Sequence, residues 1–253
     1  SSPAMSGNSA RCFLYGVDGI GSESKIPLTD DLLSRHLLFL GGIGSGKTNA
    51  IYQIIAQLRR TMTANDVMVV FDTKGDFYKE FYRKGDIVIS NDSKATGSNR
   101  VNYWNIFNEL GQDASTEANI IEIARTLFFE KIQRSTQPFF PNAAKDLFSG
   151  ILYHFARSGN QHEMNNARLR SFLDQSPSAE IRNMLQIHED LKAMVSYIAD
   201  DRSPQTQGVI SELQQMAREI LVGNFKQAGT LSMREAVRQK GGRIIFVEYD
   251  LGI

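Results

Sequence analysis

Residues 41–48, Gly-Gly-Ile-Gly-Ser-Gly-Lys-Thr, constrain this chain more than any other stretch. The apolar run LLFL at 37–40 precedes them and is expected to form a buried strand. Ile51, Ile54, Ile55 and Leu58 follow at helical spacing. Strand, glycine loop, Lys-Thr and helix together make G-x-x-x-x-G-K-T, the P-loop pattern. Gly41, Gly44 and Gly46 let the backbone adopt conformations a side chain forbids and approach a ligand closely. The backbone from Gly41 through Gly42, Ile43, Gly44, Ser45, Gly46, Lys47 and Thr48 to Asn49 is then the expected phosphate cradle. It sits at a helix N-terminus, where the dipole also favours anions. Lys47 is expected to reach the β/γ-phosphates of ATP, and the Thr48 hydroxyl to join the Mg²⁺ shell. The plain alternative is a glycine turn that packs a helix on a strand.

The chain has 253 residues, enough for one large domain or two small ones. Lys+Arg and Asp+Glu both number 28, so the strongly basic balance that marks many nucleic-acid binders is absent, though a local basic surface is not excluded. The single Cys12 cannot form an internal disulfide, and no Cys/His group has zinc spacing. His36, His154, His162 and His188 are scattered, and ordinary surface or core roles are expected. Cysteine usage fits a reducing, cytoplasmic compartment. No apolar run approaches a membrane span. Residues 1–9, SSPAMSGNS, read as a small polar end outside the fold.

In chain order, residues 11–17 and 25–28 read as a small hairpin around the turn 18–23, with Thr29-Asp30-Asp31 capping a short helix. Gly21 belongs to that turn. VMVVF at 67–71 is expected to be a strand covered on both faces, closing in Asp72-Thr73-Lys74-Gly75-Asp76. Asp72, at the carboxyl end of a parallel strand, reads either as a Mg²⁺-linked carboxylate or as a loop or subunit-boundary residue. Residues 77–82 form a short helix and 87–89 another strand, which together argue for a parallel α/β sheet. Residues 91–99 read as a polar loop. Trp104 is expected to pack rather than stack on a base. From Thr116 the period is helical, with Ser176-Pro177 and Ser203-Pro204 as start signals. His188 lies in an apolar stripe and is expected to be a satisfied, half-buried imidazole. RIIFV at 243–247 returns to strand. Helices that interrupt a sheet which later resumes imply an insertion. The expected division is an α/β nucleotide-binding domain over 11–165 plus 225–253, with an all-α domain inserted at 166–224.

Residues 71–76, Phe-Asp-Thr-Lys-Gly-Asp, resemble the hydrophobic-Asp-x-Lys-Gly-acidic motif of type IV coupling proteins. These are the TraG/TraD-type ATPases of conjugation and type IV secretion, within the FtsK/HerA superfamily. The approach at 25–36 and the segment Val101-Asn102-Tyr103-Trp104-Asn105-Ile106-Phe107 are also similar, and the helical insertion matches the family's all-α domain. The resemblance implies a RecA-like P-loop NTPase that binds ATP and Mg²⁺ at subunit interfaces. When full length it would form a homo-hexamer around DNA at the cytoplasmic face of the bacterial inner membrane. It would receive DNA with its relaxase, or protein substrates, through the all-α domain and pass them to membrane channel components.

Two departures stand out. The family's N-terminal membrane helices have no counterpart here, and its apolar strand closing in Asp-Glu is not evident. RIIFV resembles the strand before it, so the remaining ATPase core is expected to lie outside these residues. The alternative is that Glu248 or Asp250 serves as an atypical Walker B carboxylate; Asp72 and Lys74 are possible additional residues of the nucleotide site. An arginine from a neighbour is required, with Arg125, Arg134, Arg202 and Arg234 formally available. Arg234, Arg238, Lys240 and Arg243 form the densest basic cluster. Two other functions remain open: a recognition or adaptor module with a vestigial nucleotide site, and another FtsK/HerA-like DNA-translocating ATPase.

Overall fold

The structure, a computed structural model, describes residues 10–92 and 103–248. Residues 1–9, most of the 91–99 loop, Val101, Asn102 and Asp250 lie outside the described residues. The fold is α/β. The chain divides into two compact units, one running to Asp86 and including Lys240–Ile245, the other Ile87–Gln239 together with Phe246 onward.

The first unit opens with the expected hairpin. Strand β1 (Ala10–Val17) pairs antiparallel with β2 (Glu23–Thr29), setting Cys12 opposite Leu28 and Tyr15 opposite Lys25. Asp18 organises the turn, its carboxylate accepting from the Ile20 and Ser22 amides. Thr29 caps helix α1 (Asp30–Ser34) by accepting from Leu32 N at 3.2 Å. Helix α2 (Lys47–Thr61) follows the glycine loop, and its last turn carries Arg59 and Arg60, which suit the negative end of the helix dipole. Strand β3 (Val67–Phe71) and helix α3 (Asp76–Phe81) complete this stretch.

Residues 37–40 do not form the buried strand their hydrophobicity predicts. Leu38 and Leu40 are 81% and 82% exposed. A strand is held by ladder bonds from a neighbour, and among the described residues the only three-stranded sheet is β3 with β4 (Ile87–Ser90) and β5 (Arg243–Glu248). An apolar run favours burial, but a strand needs a neighbour, and none pairs with 37–40 among the described residues.

That parallel sheet has the order β3-β5-β4. The chain therefore leaves after β4 and returns beside it at β5, as an insertion requires. The inserted helices are α4 (Thr116–Arg134), α5 (Phe139–Ser158), α6 (Asn166–Gln175), α7 (Ser178–Gln186), α8 (Pro204–Ile220) and the short α9 (Met233–Gln239). Ser203 caps α8 as the Ser-Pro signal predicts, accepting from Thr206 N at 3.1 Å. Residues Glu189–Ile198 form a 3₁₀ stretch rather than an α-helix.

The helical unit differs from the expected 166–224 at its start. One core runs from Ile106 to Leu221 and includes Ile120 and Phe128 of α4 and Leu147, Phe148 and Ile151 of α5, all essentially inaccessible. Helices α4 and α5 each present an apolar face to α8 and cannot be separated from it without exposing that face. The stalk of the unit is closed by backbone pairing. Asn105 N donates to Leu231 O at 2.9 Å, and Leu231 N to Tyr103 O at 3.1 Å. Asn166, fully buried, accepts from Ile106 N and donates to the carbonyls of Trp104 and Phe225. Trp104 packs edge-on against Phe225 and donates its indole N–H to Glu109, so its role is packing.

Candidate nucleotide site

The glycine loop meets α2 in the first unit. Gly44 and Gly46 hold φ of 79° and 85°, in the left-handed region where a side chain is strained. Gly46 is the N-cap of α2, so the left-handed turn aims the loop at the helix's first amides. A Cβ on Gly41 would overlap the Ser45 hydroxyl. These three glycines thus have separate structural reasons. Lys47 folds back over the loop, donating to the carbonyls of Gly41 and Gly42, both at 2.6 Å, and to Ser45 Oγ at 3.3 Å. Its ammonium stands over the ring of backbone that would face a phosphate. Residues 41–46, Thr48 and Asn49 are all exposed, so an anion has open access. The residues present therefore fit a nucleotide's phosphates: a loop of small residues, a lysine poised at its mouth, and a hydroxyl in the first turn of the helix. Phosphate would supply the charge that Lys47 now finds in two carbonyl dipoles.

Asp72 leaves the end of β3 and is buried at 3% exposure. Its carboxylate accepts from Asp76 N at 3.0 Å and Tyr78 N at 2.8 Å. It therefore ties down the first turn of α3, while Gly75 at φ 70° serves as that helix's N-cap. Of the two roles open to Asp72, the geometry displays the loop-ordering one. Lys74 is exposed at the tip of this loop. Tyr52 of α2 packs against Phe77 and Phe81 of α3, with ring centroids at 5.0 and 5.5 Å, so the Asp72 loop is braced on the P-loop helix.

The anchor of α2 is not evident from the sequence. Arg59 and Asp86 form a buried ion pair in which Arg59 Nη2 donates to both carboxylate oxygens, at 2.7 and 2.8 Å. Asp86 also accepts from Arg83 N and Ile244 N, both at 2.8 Å, and Arg59 reaches Gly242 O at 3.3 Å. The signal available was weak: an Asp immediately ahead of an apolar strand and an Arg near the end of an amphipathic helix.

The other candidates lie in the second unit or outside the described residues. Glu248 ends β5 and is buried; Asp250 is not described. Arg125 and Arg134 pair along α4 with Glu122 and Glu130, and Arg202 and Arg234 belong to the same unit. The basic cluster is divided, with Arg234 and Arg238 on α9 and Lys240 and Arg243 in the first unit. No group of metal-ligating side chains occurs among the described residues, and none of their helices is long and apolar enough to cross a membrane.

The helical unit has a cavity of about 390 Å³, walled by Phe155, Phe172, Met184 and Ile187 and edged by His154 and Glu180. His154 Nδ1 lies 3.0 Å from His188 Nε2, which satisfies the imidazole expected in the apolar stripe. Burial, and then His188, lowers the His154 pKa below that of a free histidine.

The family described as "Type IV secretion-system coupling protein DNA-binding domain" matches residues 22–251. Among solved structures, the chain resembles the bacterial conjugative coupling protein TrwBdeltaN70 in its unbound monoclinic form. The TM-score is 0.67 at 20% identity, over 88% of this chain and 48% of that one. The trigonal sulphate complex of the same protein matches at 0.67 and 19%, over 97% and 54%. Plasmid coupling protein TrwB in complex with ADP and Mg²⁺ matches at 0.67 and 18%, over 88% and 49%. At these identities the likeness establishes the fold. The chain spans about half the length of these structures. No curated protein sequence matches it significantly.

Proposed function

The chain belongs to the family of type IV secretion-system coupling protein DNA-binding domains, and from that premise we propose that it is the nucleotide-handling part of a conjugative coupling ATPase. Its ligand is ATP with Mg²⁺, held by the 41–49 backbone, by Lys47 at the β/γ-phosphates and by Thr48 in the metal's shell. The observation that carries this reading is the closure of Lys47 on the Gly41 and Gly42 carbonyls at the N-terminus of α2. A TrwB structure that holds ADP and Mg²⁺ supports it.

Bound ATP would bring an electrophilic phosphoryl group. This chain's contribution is charge stabilisation by Lys47, oriented backbone amides and a loop ordered by Asp72. The full-length protein would act as a homo-hexamer at the cytoplasmic face of the membrane. It would couple hydrolysis to delivery of relaxase-bound DNA or protein into the secretion channel. Glu248 or Asp250 would supply the water-orienting carboxylate only if no further strand does so. Full-length protein should hydrolyse ATP, with DNA stimulating turnover, and Lys47→Ala should abolish it. Equal turnover in Lys47→Ala would remove the assignment.

A second reading, a recognition module, is favoured for the helical unit by its separate core and apolar-walled cavity. Ile187→Glu, at that cavity's exposed lip, should then reduce relaxase capture while leaving nucleotide affinity unchanged.

A further inference from the structure

Helix α2 does more than present the phosphate loop: it takes the place of a third strand beside the hairpin. Gln57 Oε1 accepts from Phe13 N at 2.8 Å, and Gln57 Nε2 donates to Phe13 O at 2.7 Å. One helical turn earlier, Gln53 Oε1 accepts from Tyr15 N at 2.7 Å, and Gln53 Nε2 donates to Tyr15 O at 3.1 Å. Each amide thus exchanges the pair of hydrogen bonds that a strand neighbour would exchange. The spacing makes this possible. Four residues of helix rise about 6 Å, and two residues of strand rise about 6.7 Å. Phe13 and Tyr15 are alternate residues of β1, so both present their backbone groups on the same edge. Gln57 Nε2 also donates to Gln53 O at 2.9 Å, which locks the second glutamine to the turn that carries the first.

The energetic consequence is registration. Sliding the hairpin along α2 breaks both exchanges together, because their spacing fits only one alignment. Gln53 lies little more than a turn beyond Thr48, on a helix whose N-cap is the left-handed Gly46. Tyr52, beside it, braces the Asp72 loop through Phe77. A change in the orientation of α2 would therefore reach β1 through these two amides.

We propose that Gln53 and Gln57 are positioning residues that couple the β1–β2 hairpin to the phosphate loop. Nucleotide bound at Lys47 orders the hairpin, and the ordered hairpin tightens nucleotide binding. This coupling rests on the nucleotide reading of the 41–49 loop. Linkage makes the two effects equal in size.

The test uses the full chain with Mg·ATP as the probe, following hydrogen exchange at the Phe13 and Tyr15 amides and the dissociation constant by titration. In the wild type, saturating Mg·ATP should slow exchange at both amides. Gln53→Leu with Gln57→Leu should speed their exchange, weaken Mg·ATP binding about 5-fold or more, and erase the effect of nucleotide on exchange. Gln53→Glu keeps the acceptor for Tyr15 N but loses the donor to Tyr15 O. It should give a smaller change in the same direction, and it serves if the double variant does not fold. A folded variant with a fast-exchanging hairpin and wild-type affinity for Mg·ATP overturns the coupling alone. Absence of Mg·ATP binding by the wild type overturns the nucleotide reading and the coupling with it, and that result is seen in the wild-type arm by itself.

Discussion

Removing the Asp86 carboxylate should destabilise the first unit severely. The Arg59 and Asp86 side chains are 6% and 1% exposed. Asp86→Ala leaves the guanidinium buried with only the Gly242 carbonyl at 3.3 Å, and takes the acceptor from the Arg83 and Ile244 amides. Breaking a buried pair by deleting one partner costs about 3–5 kcal/mol, and each orphaned amide adds about 1–3 kcal/mol, not fully additively. A loss of about 4 kcal/mol or more is therefore expected. The chain has two units, so a whole-molecule melt does not isolate the effect. Cys12 provides the local probe: it is the only cysteine, lies in the first unit and is 1% exposed. Burial also raises its thiol pKa, which keeps the native form unreactive. In urea approaching the transition, labelling should run about a thousandfold faster in Asp86→Ala than in wild type. Replacing both partners, Arg59→Met with Asp86→Leu, should recover only the part due to the unpaired guanidinium, because the Arg83 and Ile244 amides stay without their acceptor. A single-variant cost below about 1 kcal/mol would refute the reasoning, because a pair that cheap to break is not desolvated.

Asp72→Ala should destabilise α3 by about 1–3 kcal/mol through the orphaned Asp76 and Tyr78 amides, read as faster hydrogen exchange confined to the residues after Gly75. Gly41→Ala should weaken Mg·ATP binding about tenfold or more by driving its Cβ into Ser45; unchanged affinity would show that the loop yields freely. His154 has a folded-state pKa below its unfolded value. The unfolded chain therefore takes up the proton first. Stability should be complete above about pH 6.5 and decline as pH falls below it toward the depressed value. His154→Phe should flatten that pH dependence in urea titrations, and an identical slope would remove the His154–His188 pair as its source.

Much of the local structure was legible because its causes are local. Thr29 ahead of Asp30-Asp31, the Asp18 turn, Ser203-Pro204 and the left-handed glycines of the loop each carry their reason within a few residues. What was not legible depends on partners distant in sequence. Residues 37–40 are apolar enough to be a strand, yet nothing in their own sequence says which neighbour pairs with them. The sequences of α4 and α5 show only that each has an apolar face, which leaves the start of the helical unit unmarked before residue 166. That this face belongs to α8 is a tertiary fact. Asp72 has the position of a metal-linked carboxylate, and the sequence does not say that its two oxygens also accept from the Asp76 and Tyr78 amides of α3. Arg59, Asp86, Gln53 and Gln57 are ordinary residue types whose meaning lies in what they reach across the fold. The family resemblance seen in the 71–76 motif and the helical insertion agrees with the family match over residues 22–251.

In the proposed site, the loop from Gly41 to Thr48 cradles phosphate, and Lys47 leaves the Gly41 and Gly42 carbonyls for the nucleotide. Calorimetric titration of the chain with Mg·ATP, alongside its Lys47→Ala variant, tests this most directly. Saturable single-site binding by the wild type, weakened at least about tenfold in the variant, is predicted, since loss of a charge-assisted contact costs about 1.5–3 kcal/mol. Equal binding by both proteins, or none by the wild type at millimolar nucleotide, would contradict it.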